Sequence, residues 1–105
     1  MTIPLKVYIL LGMWFIFEKK TLSKTVKKLP VIVLKHYELW KRIVELEGPE
    51  GLKLVKGYHD EALKGQFKGH RSSRLNKQWR VIYKTEFKVF KIYILDVNPH
   101  DYRRK

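Results

Sequence analysis

Cysteine is absent from the 105 residues. That excludes a disulfide framework and any cysteine-ligated zinc site, and it suits a reducing cytoplasm, where the protein is expected to reside. The four histidines stand at 36, 59, 70 and 100, and no two have the i, i+4 spacing that sets a pair of ligands on one helix face. No metal and no other cofactor is expected. Long apolar runs are scarce as well. The longest, IPLKVYILLGMWFIF at 3–17, contains Lys6 and runs into Glu18-Lys19-Lys20 without a small-residue cleavage site. It also falls short of the roughly 20 residues that span a bilayer, so no membrane partner is expected. Met13 within this run is a candidate natural start. Residues 1–12 are then read as an N-terminal extension and 13–105 as one domain.

Negative charge is the other shortage. Ten Asp and Glu face 23 Lys and Arg, a net charge of +13. Residues 1–52 carry nine basic against five acidic residues, a net of +4, whereas 53–105 carry fourteen against five, a net of +9. Between Glu61 and Glu86 there is no carboxylate at all, yet Lys64, Lys68, Arg71, Arg74, Lys77, Arg80 and Lys84 fall there. Such one-sidedness suits a polyanion, because each neutralised phosphate releases counterions. Nucleic acid is favoured over an anionic membrane because the basic half is patterned as strands rather than as an amphipathic helix. A plain solvated basic face is the bland alternative. A hydrophobic content of 45%, with 13% aromatics, is enough for one ordered core despite the charge.

The order of elements follows from periodicity. WFIFEKK (14–20) is aromatic and β-branched and predicts a strand. Thr21 or Ser23 can cap a short helix through TVKKL, which Pro30 interrupts. In 31–48, Val33, Leu34, Tyr37, Trp40, Ile43, Val44 and Leu46 recur at steps of three and four, the period of a helix buried on one face, and Gly48 and Pro49 end it. Residues 49–71, with Gly51, Gly57, Gly65 and Gly69, read as loop. SSRLN (72–76), WRVIYKT (79–85) and KVFKIYILDV (88–97) read as three strands joined by short hairpin turns. The basic residues of this stretch also step by three or four, but Gly65, Gly69 and Val81-Ile82-Tyr83 argue against a helix there. The expected fold is a small α+β domain: strand, two helices, then antiparallel strands, with the helices on one face of the sheet.

Three pieces, HDEALKG (59–65), GHRSSRLNKQWRVIYK (69–84) and VNPHDYRR (97–104), in this order and spacing, resemble the RelE/YafQ/YoeB superfamily of toxins from type II toxin–antitoxin pairs. The resemblance covers about residues 14–103. It implies a RelE-like fold and an mRNA endonuclease that inhibits translation, often in the ribosomal A site. It also implies a cognate antitoxin as partner, and operator DNA reached through the toxin–antitoxin complex. A RelE-fold toxin acting on DNA gyrase and a non-catalytic basic nucleic-acid-binding module stand as alternatives.

Metal-free RNA cleavage needs a base for the 2′-hydroxyl, charge stabilisation at phosphorus and an acid for the departing oxygen. Arg80 is the first choice for stabilisation, because its planar fork meets phosphate oxygens and stays charged, and because it stands at the family's R-x-x-Y position. At this stage it is read as a strand-surface residue. Glu61 matches the acid of the YoeB-like members and is a candidate base, or else a loop carboxylate paired with a lysine. Lys64 is a second candidate base if like charges depress its pKa. His100, with an ordinary pKa of about 6.5, suits an acid or a base, and Tyr102 suits stacking or orientation in the family's terminal His-x-Tyr pattern. Lys68, Arg71, Arg74 and Lys77 are read as phosphate contacts. Arg74 stands where YafQ-like members carry histidine and cannot act as a base at neutral pH. His59 and His70 rank lower, His36 is expected to be structural, and Trp79 and Tyr83 are expected in the core.

Overall fold

The computed structural model describes residues 12–99. Five strands, β1 (Phe15–Glu18), β2 (Glu61–Ala62), β3 (Arg71–Arg74), β4 (Arg80–Glu86) and β5 (Lys91–Asn98), form one sheet in the order β1-β5-β4-β3-β2. β1 runs parallel to β5, and every other pairing is antiparallel. Two helices, α1 (Leu22–Lys27) and α2 (Val31–Glu47), connect β1 to the rest. The expected α+β architecture is present. Among the described residues no helix is long and apolar enough to cross a membrane.

α2 forms where its spacing demands. Val33, Tyr37, Trp40 and Val44 are buried on one stripe, and the Pro30 carbonyl accepts the first helical bond from Leu34 N at 2.9 Å. Gly48 ends the helix with φ +74°, a left-handed value that only glycine adopts without cost, and its N–H bonds the Val44 carbonyl. The stripe packs on Val81, Tyr83, Ile92, Ile94 and Val97 of the sheet. Trp40 meets Tyr83 edge to face with centroids 5.1 Å apart, a favoured ring geometry. Burying each such side chain stabilises the fold by about 1.5–3 kcal/mol before entropy is counted. Tyr83 is therefore core, and Trp79 packs beside it partly buried.

Several boundaries differ from the sequence reading. Thr21 occupies the N-cap position of α1, but its side chain makes no capping bond. The span 49–71 is not plain loop. Pro49–Leu54, Lys56–Tyr58 and Gly65–Phe67 are short 3₁₀ turns, and Glu61 and Ala62 pair with Ser72 and Arg71 as β2. Two residues carry no legible alternation, so only the backbone pairing to β3 defines this strand. The last strand starts at Lys91 rather than at 88, because Phe87–Val89 makes a 3₁₀ turn. In β5 one extra residue, Leu95, sits between the Ile82–Asp96 and Tyr83–Ile94 pairs, a bulge that lets both Asp96 and Ile94 keep their faces.

Candidate nucleic-acid site on the open sheet face

Strand alternation divides the basic stretch between two faces. Arg71, Ser73, Val81 and Tyr83 point to the helix side, while Ser72, Arg74, Arg80, Ile82 and Lys84 point to the opposite face. Arg71, read from the sequence as a phosphate contact beside Arg74, therefore faces away from it.

On the open face Arg74 is the direct partner of Arg80, and Arg80 is the partner of Asn98. The next row holds Glu61, Ser72, Ile82 and Asp96. Facing side chains on neighbouring strands leave the sheet about 4.5–5.5 Å apart at Cβ, so the two arginines start from adjacent points. Glu61 lies one row along and on the next strand, about 8 Å from Arg74 and about 12 Å from Arg80 by strand rise and spacing. Asp96 accepts Asn98 Nδ2 at 2.6 Å and Val97 N at 2.9 Å, which fixes the end of β5 beside Arg80.

Arg80 is only 5% exposed, which corrects its reading as a strand-surface residue. It opens a central strand with β3 on one side and β5 on the other, and its Nη1 donates to the Gln78 carbonyl at 3.5 Å. The guanidinium is therefore held rather than waving in solvent. Arg74 is half-buried, and Lys77 is exposed in the β3–β4 turn just beyond it. That turn is built by Asn76, whose Oδ1 accepts Gln78 N at 2.8 Å and Trp79 N at 2.6 Å. Lys64 and Lys68 are exposed in the β2–β3 connection, at the other end of β3, where Gly65 (φ +64°) and Gly69 (φ +95°) make the left-handed bends. Arg74 and Arg80 are paired with Lys77 in the turn beyond them, whereas Glu61 lies one row back, with Lys64 three residues after it and Lys68 farther along the β2–β3 connection. His100 and Tyr102 lie outside the described residues.

Arg71 serves another residue that the sequence reading passed over. Asp60, with a side chain only 2% exposed, accepts Arg71 Nε at 3.0 Å and Nη2 at 2.8 Å on one oxygen. Its other oxygen accepts Ser73 Oγ at 2.6 Å and the Tyr83 hydroxyl. Burial lowers the Arg71 pKa, but the bonds and charge of Asp60 outweigh it and hold the guanidinium above its ordinary value. Burial first, and the Asp60 charge second, push the Tyr83 hydroxyl up. One of two adjacent acids at the border of a basic run, Asp60 beside Glu61, was the only sequence signal for this cluster. His36 is structural, as expected: its Nδ1 bonds the Leu75 carbonyl and ties α2 to the β3–β4 turn. Among the described residues no group of three His, Asp or Glu gathers as metal ligands.

No protein-family model and no curated protein matches the sequence. Solved structures do match the fold. RelE in the archaeal RelE–RelB complex of Pyrococcus horikoshii OT3 superposes with a TM-score of 0.65 at 23% identity, over 83% of this chain and 94% of that one. The YoeB dimer of Staphylococcus aureus gives 0.66 at 18% identity, over 85% and 99%. YafQ of E. coli gives 0.61 at 21% identity, over 83% and 93%. The chain has the RelE-like fold. Within this fold, the Arg74–Arg80 row and Glu61 lie on the face that the helices leave uncovered.

Proposed function

We propose that the chain is the toxin of a type II toxin–antitoxin pair and an mRNA endonuclease. The observation that carries this reading is the cross-strand Arg74–Arg80 pair, half-buried and buried respectively, on the face of a RelE-like sheet opposite the helices, with Glu61 one row away. Arginines at paired positions of neighbouring strands offer planar, permanently charged donor sets, which match the oxygens of a phosphodiester. Glu61 takes the proton of the RNA 2′-hydroxyl, the 2′-oxygen bonds to phosphorus, and the bond from phosphorus to the 5′-oxygen breaks. The arginines hold the developing charge, and an acid protonates the leaving oxygen. His100, two residues after Asn98 in the sequence, is assigned as that acid, and Tyr102 as an orienting group. Lys64 is the second candidate base, and Lys68 and Lys77 bind flanking phosphates. Arg71 contributes through Asp60 rather than by direct contact.

The products are a 2′,3′-cyclic phosphate and a 5′-hydroxyl, and no metal takes part. The test is incubation of the purified protein with mRNA, with and without ribosomes, in EDTA. Cleavage should persist in chelator, and a substrate with 2′-deoxyribose at the scissile position should resist. Cutting of that substrate, or loss of activity in EDTA, would overturn the mechanism; RNA that is bound but never cut would leave a binding module. The proposed cell context is the cytoplasm, with action in the ribosomal A site. The antitoxin that covers this basic face should carry an acidic or amphipathic helical segment and associate more slowly as salt rises. The toxin domain is proposed to begin at Met13, so trimming residues 1–12 should leave the thermal midpoint unchanged.

A further inference from the structure

The open face continues past the arginine row to a second feature. Phe17 of β1 and Tyr93 of β5 are direct partners, and their rings stack with centroids 5.5 Å apart and planes 22° apart. Phe17 is 44% exposed, on the side of the sheet opposite the helices. Lysines frame the pair. Lys84 Nζ lies 5.5 Å from the Tyr93 ring centre and Lys91 Nζ 5.6 Å from that of Phe17. Phe17, Tyr93 and Lys84, with Lys19 and Leu95, border a shallow cleft of about 300 Å³.

We propose that Phe17 and Tyr93 are a base-stacking platform for single-stranded RNA, on the same sheet face as the arginine row but separated from it by the buried Ile82, and flanked by lysines for its phosphates. The inference rests on the RNA reading of that row and extends the substrate beyond the scissile bond. Lys84 pairs with Tyr93 and stands on the same face of β4 as Arg80, four residues away, or about 13 Å by strand rise. Only a strand of several nucleotides reaches both features. Every base has a π-face, so aromatic rings bind single strands without reading sequence, while the lysines hold the backbone.

Binding of uncleavable 2′-O-methyl RNA, followed by fluorescence anisotropy, separates the platform from the chemistry. A long oligomer of about twelve nucleotides should bind about tenfold more weakly to Phe17→Leu and to Tyr93→Leu, whereas one of about four should bind their arginine row unchanged. Tyr93→Phe, which keeps the ring, should bind as the wild type does. Lys84→Gln, a surface change that leaves the fold intact, should flatten the log–log salt dependence of the long oligomer by about 0.7. Unchanged long-oligomer affinity in the leucine variants, equal losses for both lengths, or a change in self-association without a change in RNA affinity would each overturn the platform. Cleavage that proceeds with platform-independent binding sinks this inference alone. Platform-dependent binding by a protein that cuts no RNA sustains it and sinks the catalytic reading instead.

Discussion

Tyr83 donates its hydroxyl to Asp60 across 23 residues of chain, joining the central strand to the segment just before β2. Asp60 in turn holds Arg71 and Ser73, so one buried carboxylate pins two strands together. Asp60→Ala should leave the Arg71 charge, the Ser73 hydroxyl and the Tyr83 hydroxyl without their acceptor. A broken buried pair costs about 3–5 kcal/mol, and the lower end applies because Arg71 is 29% exposed. Urea unfolding measures the loss. A loss of a few tenths of a kcal/mol would show that solvent takes over the role of Asp60.

The two facing arginines should separate on replacement. Arg74→Ala, at a half-buried site, should reduce RNA cleavage by about 10²-fold or more with the thermal midpoint nearly unchanged. Arg80→Ala should reduce cleavage at least as much and also destabilise by about 1–3 kcal/mol, because its side chain is buried in the middle of the sheet. Measuring cleavage and melting on the same preparations decides the point. Equal melting for both variants would contradict the burial of Arg80.

Alkaline pH should unfold the protein through its tyrosines. Burial, then Asp60, raises the Tyr83 pKa; burial, then the hydrogen bond to Glu18, raises that of Tyr37. Both protons are held more tightly in the folded state than in the unfolded chain, whose tyrosines titrate near 10. The stability they contribute is complete below about pH 10 and declines above it, by up to about 1.4 kcal/mol per pH unit for each group. Tyr83→Phe should therefore show a shallower decline between about pH 10 and 11.5, read from urea midpoints. An unchanged slope would mean that Tyr83 ionises without unfolding.

Gly48 should tolerate no side chain. Its φ is +74°, and a Cβ there would come within 2.5 Å of the Trp14 indole nitrogen. Trp14 is itself fixed, its backbone by the amide N–H donated to the Glu45 carbonyl at 2.9 Å and its ring by edge contacts to Phe87 and Phe90. Gly48→Ala should cost about 2 kcal/mol or more by thermal melting, combining left-handed strain with a displaced ring. Wild-type stability would show that Trp14 moves aside freely.

The fold was legible where residues answer to a period. Val33, Tyr37, Trp40 and Val44 announce α2, Pro30 and Gly48 bracket it, and Val81-Ile82-Tyr83 argues down the competing helical spacing of the basic residues. β2 was hidden because two residues cannot show alternation and owe their strand to β3. The face of Arg80 could be read from alternation, but its burial depends on flanking strands from other parts of the chain. Asp60 was invisible for a related reason. An acid next to a basic run resembles a solvated loop charge until Arg71, Ser73 and Tyr83 are seen to converge on it.

The place of β5 has a consequence in time as well as in space. It is the last described strand, yet it lies between β1 and β4 and is hydrogen-bonded to both. A chain emerging from its N-terminal side can coil α1 and α2 early, since helical contacts are local, but among the described residues the strand paired with β1 is β5, which arrives last. Asn98, the neighbour of Arg80, comes at the end of that strand. The arginine row is therefore completed late, and a half-made chain is without the face on which its proposed chemistry depends.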